Sequence, residues 1–515
     1  VHILVALGYH PLELISQAMD GVQTNAADPQ IRRDFTGRQP EALNDQIHKE
    51  RIMKHDLTAE PRVAPRGMQT FLLIWLGQLI SILGTGLGGF GLSVWLYEHT
   101  GSATHLTLMA FFSMLPMIMI SPIAGVLVDR WSRKWTLMLS DLGSAFCTLV
   151  LVLLLWTGNM YMWALYPLMI ISSIFHAFQF PALNAAITQI VPKEQFGRAS
   201  GMMQLAQAMG QLVSPVLAGI LVGTIGLEGI ILIDFATCLF AVGTLLLITI
   251  PKPEVSAESQ AARRSMWSDS TFGLKYIVAR PGLLALLIFF ATSNFLMGTI
   301  VVLSTPLVLS FSDAPTLGIV RSVAGVGLLI GSVLMSVWRG PKRRVYGALV
   351  GILLSGMSMF VAGLLPSALL ITIAAFFFTL GLPLVAASSQ PIWQRKVPGD
   401  VQGRVFSTRL MIATGAMPLA YLISGPLVDF VFEPLMAPGG ALAGSVGRLI
   451  GTGEGRGIGL LFMLLGILAV ILVGLGYLYP RLRFVEEELP DAIPNDLPVA
   501  VQGPQADAQS QLQHL

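Results

Sequence analysis

From position 69 onward the chain alternates long apolar runs with short polar breaks. An α-helix needs about twenty apolar residues to cross the ~30 Å hydrocarbon layer of a bilayer, and these runs have that length. Twelve are predicted as spans, at 69–97, 104–128, 135–157, 161–182, 199–224 and 229–250, then at 283–309, 316–338, 345–365, 368–390, 404–430 and 457–480. The expected fold is an all-α membrane protein of twelve transmembrane helices in two six-helix halves, 67–250 and 282–484. The stretch 251–281, with Pro251, Pro253, Arg263 and Arg264 and a surface helix expected over Met266–Val278, is a linker on the cytoplasmic side.

Both ends differ from this body. Residues 1–66 mix charged residues with Pro, Gln and Asn and cannot cross a membrane, so they are a cytoplasmic extension to which no function is assigned. Positions 1–7 are apolar but have neither a basic stretch before them nor a small-residue cleavage site after them, so no secretory signal is expected. The tail, 485–515, is acidic, carries three prolines before Val499 and has no Lys or Arg after Arg483, a composition expected to be disordered.

Composition agrees with the pattern. The chain is 54% hydrophobic and only 12% charged, with a mean hydropathy of +0.71, far from the quarter-charged norm of soluble proteins, which rules out a soluble enzyme. A net charge of +2 argues against a nucleic-acid partner. The cysteines, Cys147 and Cys238, both lie inside apolar runs, so neither a disulfide framework nor a metal site is expected. No phosphate loop or catalytic constellation is found, and no cofactor is implied.

The Lys and Arg residues cluster in the breaks after even-numbered spans, whereas the opposite side holds Arg448 and Arg456; Arg321, inside span eight, fits neither. Positively charged loops stay in the cytoplasm, so the protein is expected to be multi-pass in the plasma (inner) membrane with both termini inside. A repeat supports the two halves independently. Val191-Pro192-Lys193-Glu194-Gln195-Phe196-Gly197-Arg198 returns 206 positions later as Val397-Pro398-Gly399-Asp400-Val401-Gln402-Gly403-Arg404. The same offset carries Gly219 onto Gly425 and Gly125 onto Gly331. Duplicated halves with a site at their interface are a common design of secondary carriers.

Between spans two and three lies Gly125-Val126-Leu127-Val128-Asp129-Arg130-Trp131-Ser132-Arg133-Lys134. This loop resembles that of the major facilitator superfamily, with Ser132 in place of one glycine. Gly125 permits close helix approach, and Asp129 can cap a neighbouring helix N-terminus, where a carboxylate meets the positive end of the dipole. The resemblance implies that Asp129 latches the halves on the cytoplasmic side, with Arg130, Arg133 and Lys134 completing a charge network; alternatively, the basic residues only set topology. Span five carries Gly201, Gly210, Ser214, Pro215, Ala218 and Gly219 at the spacing found in the superfamily's antiporters, with small residues replacing two glycines. Plain helix packing is the other reading of such a stripe. The text of spans one and two, Val94-Trp95-Leu96-Tyr97 through Thr100-Gly101-Ser102-Ala103 and on to Ser121-Pro122, is most similar to the bacterial branch with macrolide exporters and the enterobactin exporter.

Only two acids fall well inside spans, Asp141 and Asp234, and an intramembrane acid is a functional hypothesis by default. Both are candidates for proton coupling, with a structural ion pair to Arg130 or Arg133 as the alternative for Asp141. The superfamily's cavity is lined by spans one, four, seven and ten, which makes Gln78, His176, Gln179 and Asn294 the substrate-cavity candidates. Superfamily carriers for multiple drugs usually have an Arg in span four, and this sequence has none. The expectation is thus a proton antiporter that exports a small amphipathic compound by alternating access, acting as a monomer in contact with membrane lipid. An uptake carrier or lysophospholipid flippase, and a non-transporting scaffold, are the alternatives.

Overall fold

A computed structural model of the chain describes residues 67–192, 195–248, 266–338, 341, 343–398 and 401–488; the side chains of Pro122, Val126, Asp129, Arg130, 266–271 and Glu488 lie outside what is described, as do the whole of 1–66 and most of the tail. The described body is helical. Helices α1 (Gly67–Thr100), α2 (Ala103–Arg130), α3 (Arg133–Trp156), α4 (Met162–Ile190) and α5 (Phe196–Leu246) build the first half, and the expected linker helix is α6 (Met266–Val278). The second half comprises α7 (Pro281–Leu309), α8 (Ala314–Trp338), α9 (Arg344–Leu364), α10 (Ala368–Lys396), α11 (Gln402–Leu427) and α12 (Arg456–Leu478). Local signals set several boundaries. Ser102 and Ser367 cap α2 and α10 through their hydroxyls, Pro281 opens α7, and Gly101 and Gly158 turn the chain at positive φ.

Eleven helices among the described residues are long and apolar enough to span a membrane, one fewer than the runs in the sequence. The difference lies in α5, whose 51 residues would measure ~77 Å if straight, more than twice the hydrocarbon layer. At Gly226 the backbone takes φ 69°, ψ −177°, a conformation open essentially to glycine alone. Contacts with α1 show that the chain reverses there. Before Gly226 the numbering rises in parallel: Trp75 Nε1 donates to the Met202 carbonyl (2.7 Å) and Ser214 Oγ to that of Leu83 (3.0 Å). After it the order inverts, with Ser81 beside Cys238 (3.8 Å) and Thr85 bonded to Asp234 (3.1 Å). The helical run therefore contains spans five and six, packed on α1 in opposite directions.

The buried apolar residues divide in an informative way. At the end away from the basic loops, one continuous core takes residues from both halves, including Phe90, Leu106, Ile230, Leu303, Leu317 and Phe462. At the basic end there are two separate cores. One, around Phe71, Leu137 and Leu245, belongs to the first half; the other, around Leu286, Leu349 and Trp393, belongs to the second. The halves are thus fused at the far end and parted at the basic end. The second core extends past Phe484 to Val485, and Lys396 Nζ donates to the Glu486 carbonyl (2.6 Å), so the first residues of the expected tail are part of the packed body.

Candidate functional site

The cleft at the basic end has a polar wall in each half. In the first half, four of the predicted residues meet in one hydrogen-bonded cluster. Asp141 on α3 is 2% exposed, and its two carboxylate oxygens accept from Gln78 Nε2 on α1 (3.1 Å) and Gln179 Nε2 on α4 (2.7 Å). Gln179 also reaches Gln78 Oε1 (3.3 Å), and its own Oε1 meets His176 Nδ1 at 2.9 Å. Gln78, His176 and Gln179 line a cavity of about 570 Å³ with Ile82, Gln204 and Gln207, while Asp141 stands directly behind the amides. A proton on either Asp141 oxygen would turn that acceptor into a donor, and the amide facing it would have to reorient. Amides hold the Asp141 carboxylate and Arg133 Nη1 donates to the Ala185 carbonyl (2.6 Å), while the side chain of Arg130, the other ion-pair partner considered for Asp141, lies outside what is described.

Asp234 faces the interior of the same half. Thr85 Oγ1 on α1 and Thr148 Oγ1 on α3 donate to its two oxygens (3.1 and 3.3 Å), with Cys238 Sγ at 3.8 Å. It does not join the Gln78 cluster. In the second half, Asn294 Nδ2 on α7 donates to the Ala413 carbonyl on α11 (2.9 Å), an interhelical tie at the edge of a cavity of about 490 Å³. The charged residue on that wall is Arg409, which donates to Gln390 and Ser389 and lies 4.9 Å over the Trp393 ring.

The span-five residues help to close the far end. A Cβ on Gly219 would stand 2.9 Å from the Ala314 carbonyl oxygen and 3.1 Å from Pro315 Cα, so this glycine lets α8 sit against α5. Ser214 and Gly86 face each other across α5 and α1, Ala218 is fully buried, and Ser322 Oγ donates to the Leu212 carbonyl (2.7 Å) between the halves. Pro215 lies against Gly318, and Gly210 against Ile82. At Gly201, toward the basic end, no atom comes within 4 Å of a built Cβ. The stripe is packed at one end and open at the other.

A second link at the far end escaped the sequence reading. Asp429, just past α11, caps the N-terminus of α2 in the other half: Ser102 Oγ (2.6 Å), the Thr104 N–H (2.8 Å) and the Ala103 N–H (3.1 Å) all donate to its carboxylate. Charge-assisted bonds to a helix N-terminus are among the stronger polar contacts. The hydrogen bonds that Arg133 Nη1 and Lys134 Nζ donate to carbonyls run to their own half. Lys134 Nζ donates to the carbonyls of Leu246 (3.3 Å) and Ile248 (2.6 Å) at the C-terminus of α5, and nothing stands within 4 Å of a Cβ on Gly125.

A sequence profile of the Major Facilitator Superfamily matches residues 74–421. The chain belongs to that superfamily. Superfamily relatives include macrolide efflux protein A of Streptococcus pyogenes, 28% identical over 363 residues that make up 70% of this chain and 89% of that one. The protein of the same name from Enterococcus faecalis is 29% identical, covering 62% and 99%. The multidrug efflux pump Tap of Mycolicibacterium fortuitum is 25% identical, covering 70% and 89%. Among solved structures of the fold, a bacterial homologue of the human lysosomal transporter Spinster, inward-facing and unoccupied, superimposes with a TM-score of 0.60 at 14% identity, covering 80% of this chain and 97% of that one. The nucleoside transporter NupG gives 0.59 at 12%, covering 80% and 99%.

Superfamily membership explains the twelve-span repeat but not the residues particular to this chain. Arg456, an apparent exception to the charge rule, is buried, and its Nη2 donates to the carbonyls of Gly363 (2.9 Å) and Leu364 (3.0 Å), which caps the C-terminus of α9. In the sequence Asp429 is an acid one residue before the predicted end of span eleven, on the same side of the membrane as the Ser102-Ala103-Thr104 turn. Arg321, which fits neither side of the charge pattern, is a cation too far inside a span to serve as a topology signal.

Proposed function

We propose that this protein is a proton-driven exporter of small amphipathic compounds from the cytoplasm, working by alternating access, and that the arrangement described is its inward-facing state. The observation that carries the reading is the single far-end core set against two separate basic-end cores with a polar cleft between them. The positive-inside rule puts the basic end in the cytoplasm, so the cleft loads from inside. Efflux as the direction is supported by what the relatives are named for, macrolide and multidrug efflux.

In the proposed cycle a compound enters between the two walls while the far end stays shut by Asp429 and the α5–α8 contact. Asp141 or Asp234 holds a proton taken from outside and releases it inward. Loss of that proton restores a charged carboxylate and its full set of acceptors, so the Gln78–Gln179 amides turn back onto it. When the halves rock, α2 and α11 part at the far end and meet at the basic end, where Asp129 caps α11 near Arg404–Ser407 while Arg130 and Arg133 hold the network together. Pro215, Gly210 and Gly201 supply the pliable surface along which α5 slides.

The test uses purified full-length protein in proteoliposomes with labelled amphipathic compounds of either charge, a macrolide and an aryl sulfonate, and an imposed pH gradient. Accumulation in inside-out vesicles that collapses with an uncoupler is the expected result. Accumulation in the opposite direction would make the protein an uptake carrier, and movement of lysophospholipid alone would make it a flippase.

A further inference from the structure

Arg321 lies seven residues into α8, ~10 Å below the far end of the helix and well within the hydrocarbon depth. One guanidinium nitrogen, Nη2, donates to Thr305 Oγ1 on α7 (2.6 Å), and Cζ stands 5.7 Å from the centre of the Phe90 ring on α1, in the other half. No carboxylate among the described residues pairs with it. The rest of the guanidinium borders a cavity of about 390 Å³ between the halves, above the two polar walls. That cavity is otherwise largely apolar (Ile300, Met359, Phe378), with the hydroxyls of Ser214, Ser304, Ser358 and Thr379 and the amide of Gln211 as its further polar groups.

A cation within a membrane is costly unless it pairs with another group or faces a functional cavity. A guanidinium presents five N–H donors in a planar fork that fits a carboxylate, phosphate or sulfonate with two parallel bonds. Here a single one of those donors is used by the protein, and the space in front of the others has the size of a small-ligand pocket. We propose that Arg321 is the recognition group for an oxyanion on the transported compound, and that this protein therefore carries amphipathic anions in preference to neutral or cationic compounds with the same apolar body. This deepens the exporter reading and rests on it for the role of the cavity. It also sets the chain apart from a carrier selecting for a protonated amine, which would meet an unpaired positive charge at the apex of its path.

The oxyanion could belong to a soluble amphiphile or to a lipid head group, and the experiment separates them. Detergent-purified full-length protein is titrated with 8-anilinonaphthalene-1-sulfonate and with N-phenyl-1-naphthylamine, which share one ring system and differ by the sulfonate. The wild type is expected to bind the sulfonate more tightly. Arg321→Gln should lose about tenfold or more in sulfonate affinity while the neutral probe stays within about twofold. Arg321→Lys, which keeps the charge without the fork, should retain a reduced preference, and it carries the test if the Gln variant does not fold. Competition by decanoate but not decanol identifies a soluble anion; competition by lysophosphatidylglycerol but not lysophosphatidylcholine identifies a lipid head group. Equal binding of both probes by the wild type, or an unchanged sulfonate preference in Arg321→Gln, overturns the proposal. Because binding is read without transport, a protein that prefers the sulfonate yet moves nothing in vesicles would remove the exporter reading and leave the anion site standing.

Discussion

At the far end, buried residues of both halves form one core tied by a carboxylate on a helix N-terminus, whereas at the basic end each half keeps its own core and shows the other a polar wall. Apolar contact and a charge-assisted cap hold the closed end; hydrogen-bonded amides and one buried acid line the open end. A gate that must open repeatedly cannot rest on apolar burial alone, because about 25 cal/mol per Å² over a large contact would trap it. The small residues of α5 keep that contact shallow, which leaves a few polar bonds able to tip the balance.

The largest effect is expected on the open wall. Asp141→Asn cannot ionise, yet it can still accept through its side-chain oxygen from Gln78 or Gln179, so folding should survive while pH-gradient-driven accumulation falls to background. Asp234→Asn is the companion. If both variants keep their gradient dependence, coupling lies outside this wall and the contrast between the ends loses its chemical half. Facilitated exchange without a gradient, measured on the same proteoliposomes, should persist in whichever variant had carried the proton.

The next effect bears on which end is open. Asp429→Ala leaves the first amides of α2 without their acceptor, and each bond to a charged group contributes about 1.5–3 kcal/mol. The population should move outward by at least about tenfold, visible as longer spin-label distances between the far ends of α2 and α11. Asp129→Asn should push the other way, holding the protein inward-facing and cutting transport while membrane insertion is unchanged. Shifts of the same sign in both variants would show that the two carboxylates are not opposed latches.

Much of this body was legible in the sequence because lipid imposes a simple rule: backbone groups must be satisfied within each span, so hydropathy and length locate the helices. The linker helix over Met266–Val278 was legible in the polar break between the halves, whereas the inward placement of Gln78, His176 and Gln179 rested on the resemblance to the superfamily, whose cavity spans one and four line. The reversal inside α5 was legible as well, since spans 199–224 and 229–250 are parted at Ile225-Gly226-Leu227-Glu228, where a glycine and a charged residue interrupt the apolar run and Gly226 makes the turn; how the two arms lie along α1 needed the fold. The Asp141 cluster also needed the fold, since residues 63 and 38 positions away supply its bonds. Asp429 stayed hidden for the same reason: its partners lie 325 to 327 positions earlier, and no local motif announces a cap donated from another helix.

Gly219→Val tests the apolar side of the same contrast. The added side chain has no room against Ala314 and Pro315, and overpacking of this kind costs about 1–3 kcal/mol. The cost falls on the closed far end alone, so the variant should behave as a weaker Asp429→Ala, with partial outward opening and retained binding. Gly201→Val, at the open end of the stripe, should leave the inward-facing state unchanged.

The smallest effect is expected where a charge serves one half only. Lys134 donates to two carbonyls at the C-terminus of α5, a cation on the negative end of a helix, worth about 0.3–1 kcal/mol where exposed. Lys134→Met should therefore lower thermal stability slightly in detergent and leave the spin-label distances between the halves where they were. That outcome would place Lys134 with the helix caps; a shift in the inward–outward balance comparable to that of Asp129→Asn would instead make it part of the network that locks the basic end. The measurement decides whether the basic loop acts as one unit or divides its work between holding its own half together and gripping the other.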